Sequence, residues 1–91
     1  MFRIWGKLYQ ENHLLRDMVY ESNDRSVNRT GKILAGLHEF CLSFDLQEPI
    51  WLDKNIREFK KTDRTRFNQD NFIEQIDFDF LEIHVIEEED E

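Results

Sequence analysis

From Phe2 to Tyr9 the chain alternates. Phe2, Ile4 and Leu8 take one face of a strand; Trp5 and Tyr9 take the other, with Arg3 and Lys7 between them. Gly6 weakens the strand or lets a neighbour approach closely. After the polar break Gln10–His13, residues 14–21 alternate again. Leu15, Asp17 and Val19 share one face, and Leu14, Arg16, Met18 and Tyr20 the other. Two strand-type runs joined by a short polar turn predict an antiparallel hairpin.

The period then lengthens. Val27, Thr30, Leu34, Leu37, Cys41 and Phe44 recur every three or four residues, widened by Ile33 and Phe40. This predicts an amphipathic helix over 25–44, with Asn23, Asp24 or Ser26 accepting from its first-turn N–H groups. Gly31 and Gly36 each cost it up to about 1 kcal/mol relative to Ala, and they let the helix sit close on a sheet. Pro49 disfavours helix at Glu48. Asp53 then caps a short helix through Lys61, with Leu52, Ile56 and Phe59 on one side. Residues 62–71 read as irregular, and Phe72, Ile73 and Ile76 as one helical turn. Phe78 to Ile86 reads as a strand. Its apolar set changes face between Phe80 and Leu81, which calls for a bulge or for burial on both faces.

The expected order is β-β-α-(short α)-β. It makes an α+β domain: a small antiparallel sheet, from the N-terminal hairpin and the C-terminal strand, packed by one long amphipathic helix. The first and last strands carry apolar residues on both faces, and one helix covers one face. The other face then needs the segment 50–76, as a wrapped monomer, or a second copy, as a homodimer.

Composition narrows this picture. Ninety-one residues fit one domain, assigned to 1–86, followed by an acidic tail over 87–91. Eight Phe, two Trp and two Tyr give enough aromatic burial to argue against disorder. The single cysteine, Cys41, has no partner for an internal disulfide and fits a reducing compartment. No long apolar run marks a leader or a membrane span, so the expectation is a cytoplasmic protein with no membrane partner.

Charge changes the picture more. The chain carries a formal net charge of -8. Residues 53–66 nevertheless hold six basic and three acidic side chains, and residues 67–91 hold ten acidic and no basic ones. Lys54, Arg57, Lys60, Lys61, Arg64 and Arg66 form the basic segment, flanked by Trp51 and Phe67. On a helix starting near Asp53, Arg57, Lys60, Lys61 and Arg64 would share a face. Three readings compete. The segment is a solvated or internally paired surface, a protein-binding surface at 51–67, or a nucleic-acid contact at 54–66 in which Trp51 or Phe67 stacks on a base. The acidic balance of the whole chain argues against nucleic acid.

Catalytic signals are sparse. His38 and Cys41 are spaced for one helix face, but zinc takes three or four ligands, and Cys41 belongs to the apolar stripe. Asp77, Asp79, Glu82 and His84 crowd the last strand, as in a metal-dependent enzyme, without a phosphate-orienting Lys beside them. No nucleophile elbow, phosphate-binding glycine loop or HExxH motif is present. The expectation is a small non-enzymatic protein with no cofactor, no metal and no catalytic residue. Its contact residues are Trp51, Lys54, Arg57, Lys60, Lys61, Arg64 and Arg66.

The stretches "PIWLDKNIREF", "TRFNQDNFIE" and "DFDFLEIHVIE" resemble a group of short uncharacterised proteins from anaerobic Gram-positive bacteria, as does the opening "FRIWGKLYQENHLLRDMVYE". The resemblance implies a bacterial, cytoplasmic protein and transfers no site residue.

Overall fold

The alternating N-terminal runs form the hairpin that their pattern predicts. In the computed structural model, which describes residues 1–88, strand β1 spans Phe2–Gln10 and β2 spans His13–Ser22. Glu11 and Asn12 connect them at φ 51° and 66°. Positive φ at both loop residues is what a two-residue turn needs to match the strand twist. The register shifts between Leu8 and Tyr9, which sets Leu14 opposite Tyr9. Directly paired residues project to the same face. Leu14 therefore lies beside Tyr9, and not with Arg16, Met18 and Tyr20 as simple alternation requires.

Helix α1 covers Arg29–Phe44, four residues shorter at its start than expected. Its cap is Asn28, whose Oδ1 accepts from Gly31 N at 2.8 Å. Asp24 is occupied elsewhere: its Oδ1 accepts from Ser26 N and Oγ, folding the preceding loop into its own turn. The buried stripe runs through Ile33, Gly36, Leu37, Phe40, Cys41 and Phe44. Leu34 is 47% exposed, so the stripe is rotated toward Ile33 and Phe40. Two glycines permit the close approach. A Cβ on Gly6 would lie 2.5 Å from the Phe40 ring, and one on Gly36 would lie 2.7 Å from Ile4.

Helix α2 spans Asp53–Thr62, and β4 spans Phe80–Glu87. A strand stands where irregular chain is expected: β3, Arg64–Phe67, pairs antiparallel with β4. A 3-10 turn follows at Gln69–Asn71, and no regular helix forms over 72–76. The sheet order is β2-β1-β4-β3, antiparallel throughout. This is the expected α+β class with one additional strand.

The inner face carries Phe2, Ile4, Gly6 and Leu8 of β1; Leu81, Ile83 and Val85 of β4; and Thr65 and Phe67 of β3. α1 packs on it through Phe40. The segment 50–76 packs there as well, because Trp51 lies 5.0 Å from the Phe67 ring and 5.8 Å from the Phe59 ring, both edge-on. It does not wrap the second face, which corrects that expectation. Phe78 precedes β4 and is buried against Phe72, while Phe80 begins β4 on the opposite side from Leu81. That explains the change of apolar face in the sequence. Arg29 ties the end of the molecule together: its guanidinium meets Asp63 at 2.8 Å and Glu88 at 2.6 Å. Of the expected acidic tail, Glu87 closes β4 and Glu88 joins this pair; 89–91 lie outside the described residues.

Candidate functional site

The basic segment is carried by α2 and β3. Leu52, Asn55 and Phe59 are spaced three and four apart, which places them on one side of α2; Asn55 and Phe59 are buried. Lys54, Arg57, Lys60 and Lys61 are exposed. Asp53 in the first turn and Lys60 and Lys61 in the last complement the helix dipole. Ile56 is 42% exposed and does not join the core. The helix ends at Asp63, in the left-handed region at φ 59°. The chain reverses there, so Arg64 sits on β3 and not on the helical face of Arg57, Lys60 and Lys61.

Asn55 holds this unit in shape, and nothing in the charge pattern points to it. It is fully buried. Its Oδ1 accepts from Leu52 N at 3.0 Å and from Asn71 Nδ2 at 2.8 Å. Its Nδ2 donates to Thr65 Oγ1 at 2.8 Å and to Arg66 O at 3.0 Å. Asn71 donates in turn to Ile50 O at 2.8 Å. Helix, edge strand and 3-10 turn are thus joined by one buried polar network, in which every bond left unmade would be costly. The legible signal is the helical spacing of Asn55 with Leu52 and Phe59.

Between α2 and β3 lies a cleft of about 510 Å³. Its walls include Lys54, Glu58, Arg64, Arg66 and Asn68. Glu58 is engaged, since its Oε1 accepts from Thr65 Oγ1 at 2.6 Å. Among the described residues, Lys54, Arg57, Lys60, Lys61 and Arg64 make no ion pair. Arg66 differs, with its Nε 3.0 Å from Glu82 and its guanidinium 4.4 Å from the Phe80 ring. The expected stacking residues are also placed elsewhere. Phe67 is fully buried, and Trp51 packs against the core with its Nε1 shielded and without a hydrogen bond. Phe67 presents no ring to a base, and the half-buried Trp51 ring is committed to edge contacts with Phe59 and Phe67.

The second surface is the outer face of the sheet, on which no other element packs among the described residues. Across the strands it shows ordered rows. Arg66, Glu82, Lys7 and Asp17 form one, following the pairing from β3 to β2. Glu82 bonds Lys7 Nζ at 2.9 Å as well as Arg66. Lys7 sits 4.1 Å above the Trp5 ring, and Trp5 Nε1 donates to Asp17 at 2.9 Å. Adjacent rows hold Arg64, His84, Trp5 and Val19, then Phe80, Tyr9 and Leu14. Tyr9 and Phe80 lie 5.0 Å apart. Arg3 bridges Glu21 at 2.7 Å and Glu87 at 3.4 Å.

These contacts set the protonation states. Burial by itself would raise the Glu82 carboxyl, but the hydrogen bonds from Lys7 and Arg66 outweigh it and hold the group below the ordinary range. Burial, with Arg64 and Lys7 nearby, lowers His84. The Cys41 thiol is buried and pushed up to about 12 by desolvation, with Glu48 adding to it, which leaves it an inert core residue.

The residues of the alternative metal-enzyme reading, Asp77, Asp79, Glu82 and His84, do not gather into one site. Asp77 and Asp79 precede β4, and Asp79 Oδ2 accepts from Glu11 N at 2.7 Å in the hairpin turn. Glu82 is committed to two cations. His38 pairs with Glu48 at 3.3 Å on the exposed side of α1, while Cys41 is buried. Among the described residues no three His, Cys, Asp or Glu side chains cluster as a metal site, and no helix is long and apolar enough to cross a membrane. The class defined by this arrangement is a two-layer α+β protein with a cationic edge and an uncovered sheet face. No family model, curated protein or solved structure matches the chain.

Proposed function

We propose that this protein is a non-enzymatic binding module whose contact region is the 51–67 segment, and that its partner is an acidic protein segment. One observation carries the reading. In a chain with 20 carboxylates, five cations on α2 and β3 remain without an ion pair among the described residues. Elsewhere Arg3, Lys7, Arg29 and Arg66 are paired with carboxylates, while Arg16 and Lys32 each lie singly against a ring, Phe44 and Phe2 respectively. Unpaired cations gathered at one edge give a local positive field on an acidic body, which favours encounter with an anionic partner. Phe67 is buried and the half-buried Trp51 ring is packed edge-on against Phe59 and Phe67, which leaves the segment poor in free rings for a single-stranded nucleic acid to stack on, so a polypeptide fits better.

The test is fluorescence anisotropy with a labelled Asp/Glu-rich peptide at low salt, and with a single-stranded oligonucleotide of similar charge. Wild type binds the peptide, and Lys60→Glu/Arg64→Glu weakens it by at least tenfold. Equal peptide binding by wild type and variant sinks the reading. Preference for the oligonucleotide replaces the protein partner with nucleic acid.

A further inference from the structure

The outer face of the sheet calls for a different partner from the cationic edge. Its charged groups are already engaged in place: Glu82 by two cations, Arg3 by two carboxylates, and the Asp17 carboxylate by a hydrogen bond from the Trp5 N–H. A phosphate chain would have to break those pairs, and among the described residues Arg64 is the one cation of the face that makes no ion pair. Beside the charged rows stand Trp5, Tyr9, Phe80, Leu14 and Val19, an apolar and aromatic set on a face that no other element covers among the described residues. Such a face belongs against another protein surface.

We infer that the occupant is a second copy of this chain, docked sheet to sheet about a two-fold axis that runs along the strands between β1 and β4. The axis lays β4 of one copy over β1 of the other, and β3 over β2. Each row then meets itself reversed. Glu87 faces Arg3, His84 faces Trp5, Glu82 faces Lys7 and Phe80 faces Tyr9 of the opposing copy, following the cross-strand register. Arg66 faces Asp17, because the same row links them through Glu82 and Lys7. The row order is thereby self-complementary between copies, while Lys7 and Glu82 stay bonded within each copy. Aligned packing of two sheets is a standard geometry, at about 10 Å separation. Four strands about 4.8 Å apart and about 25 Å long give a footprint of about 500 Å² per copy. About 1,000 Å² in total is the lower bound of a specific interface, so the dimer is weak and forms in a concentration-dependent way.

Val19 gives the sharpest test. It is 41% exposed on the edge strand, and the two-fold places it opposite Arg64 of the second copy. Sedimentation equilibrium from about 10 µM to about 1 mM follows the mass, and amide shifts on dilution map the surface. The wild type approaches twice its monomer mass at the upper end, with the shifts on outer residues of β1 and β4. Val19→Glu tightens the dimer at least threefold, and Val19→Arg weakens it at least threefold, with unchanged circular dichroism. Tyr9→Lys/Phe80→Lys abolishes association, and Leu42→Lys, on the exposed side of α1, leaves it intact. A monomer at 1 mM overturns the proposal. So does equal association by Val19→Glu and Val19→Arg, or displacement of the same amide shifts by a single-stranded oligonucleotide.

Discussion

Lys7→Met tests whether the charged row through the sheet stabilises the fold. Lys7 is 8% exposed and Glu82 4%, unusual values for residues on an uncovered sheet face. Deleting one member of a buried ion pair costs about 3–5 kcal/mol, because the other charge is left uncompensated. Arg66 remains at 3.0 Å from Glu82 and is largely exposed, so part of that charge stays compensated. Methionine keeps an apolar stem against Trp5, which limits the packing loss. The expected loss is about 2 kcal/mol, roughly half of the fully buried case. In a domain of this size that lowers Tm by about 8–16 °C. The double variant Lys7→Met/Glu82→Leu leaves no buried charge and returns close to wild type. Acid narrows the gap. Glu82 is held below its ordinary range, so the stability it contributes is present above that range and is lost as pH falls through the lowered value. Urea unfolding by circular dichroism at micromolar protein, at pH 7 and pH 4, measures both effects without adding salt. A Lys7→Met variant within about 0.5 kcal/mol of wild type at pH 7 would refute the reasoning. A double variant less stable than the single one would refute it equally.

Asn55→Ala strands the partners of four hydrogen bonds, two of them buried and two part-buried, and is expected to cost about 3 kcal/mol. Lys54→Ala next to it stays within about 0.5 kcal/mol, and equal urea midpoints for the two would contradict the network. Gly6→Ala drives a methyl group into the Phe40 ring and is expected to cost about 1–3 kcal/mol. Phe40→Leu in that background recovers part of the loss, and a stabilised Gly6→Ala would show that the approach is not limiting. His84 has a lowered pKa in the fold, so it takes up its proton more readily when unfolded. Its contribution is complete above the ordinary histidine range and declines as pH drops through that range toward the lowered value. His84→Gln should flatten the Tm profile over this window, and parallel profiles would remove His84 from the explanation.

The hairpin and the two helices are legible in the sequence because their apolar periods are long enough to repeat. The ends are less so. Both helices finish on an aspartate in the left-handed region, Asp45 and Asp63, where glycine is the usual signal. Strand β3 offers only Thr65 and Phe67 as an inner pair over four residues, too short a run to separate from a polar loop. Its existence depends on β4, far along the chain, and on Asn55 and Thr62 side chains that donate to its carbonyls: Asn55 Nδ2 to Arg66 O at 3.0 Å and Thr62 Oγ1 to Arg64 O at 3.3 Å. The charge count marks the basic segment. It does not separate Arg66, which the register sets beside Glu82, from Lys60, which the helix turns to solvent. Nor does local pattern show that the segment 50–76 packs on the same face as α1, because that is decided by the side of the sheet to which Phe67 and Leu81 both project.

That last point links the two surfaces. The segment 50–76 contributes Phe59, Phe67 and Phe72 to the core on the α1 side, and its cations are thereby turned outward along one edge. The same choice leaves Trp5, Tyr9 and Phe80 uncovered on the far side of the sheet. Had the segment crossed to that side, its aromatic residues would have filled the outer face and Lys7 and Glu82 would be sealed beneath them. Instead the outer face neutralises its charges within the sheet, while the edge does not. A surface whose charges are satisfied internally gains little from an ionic partner and most from apolar contact; a surface of unpaired cations gains in the reverse order. The placement of one covering segment therefore sets up both an apolar sheet face suited to self-association and a cationic edge suited to an acidic ligand. Arg64 belongs to both surfaces, because β3 carries it onto the outer face beside His84; sheet-to-sheet docking therefore competes with an acidic ligand at β3, while Lys54, Arg57, Lys60 and Lys61 of α2 stay accessible.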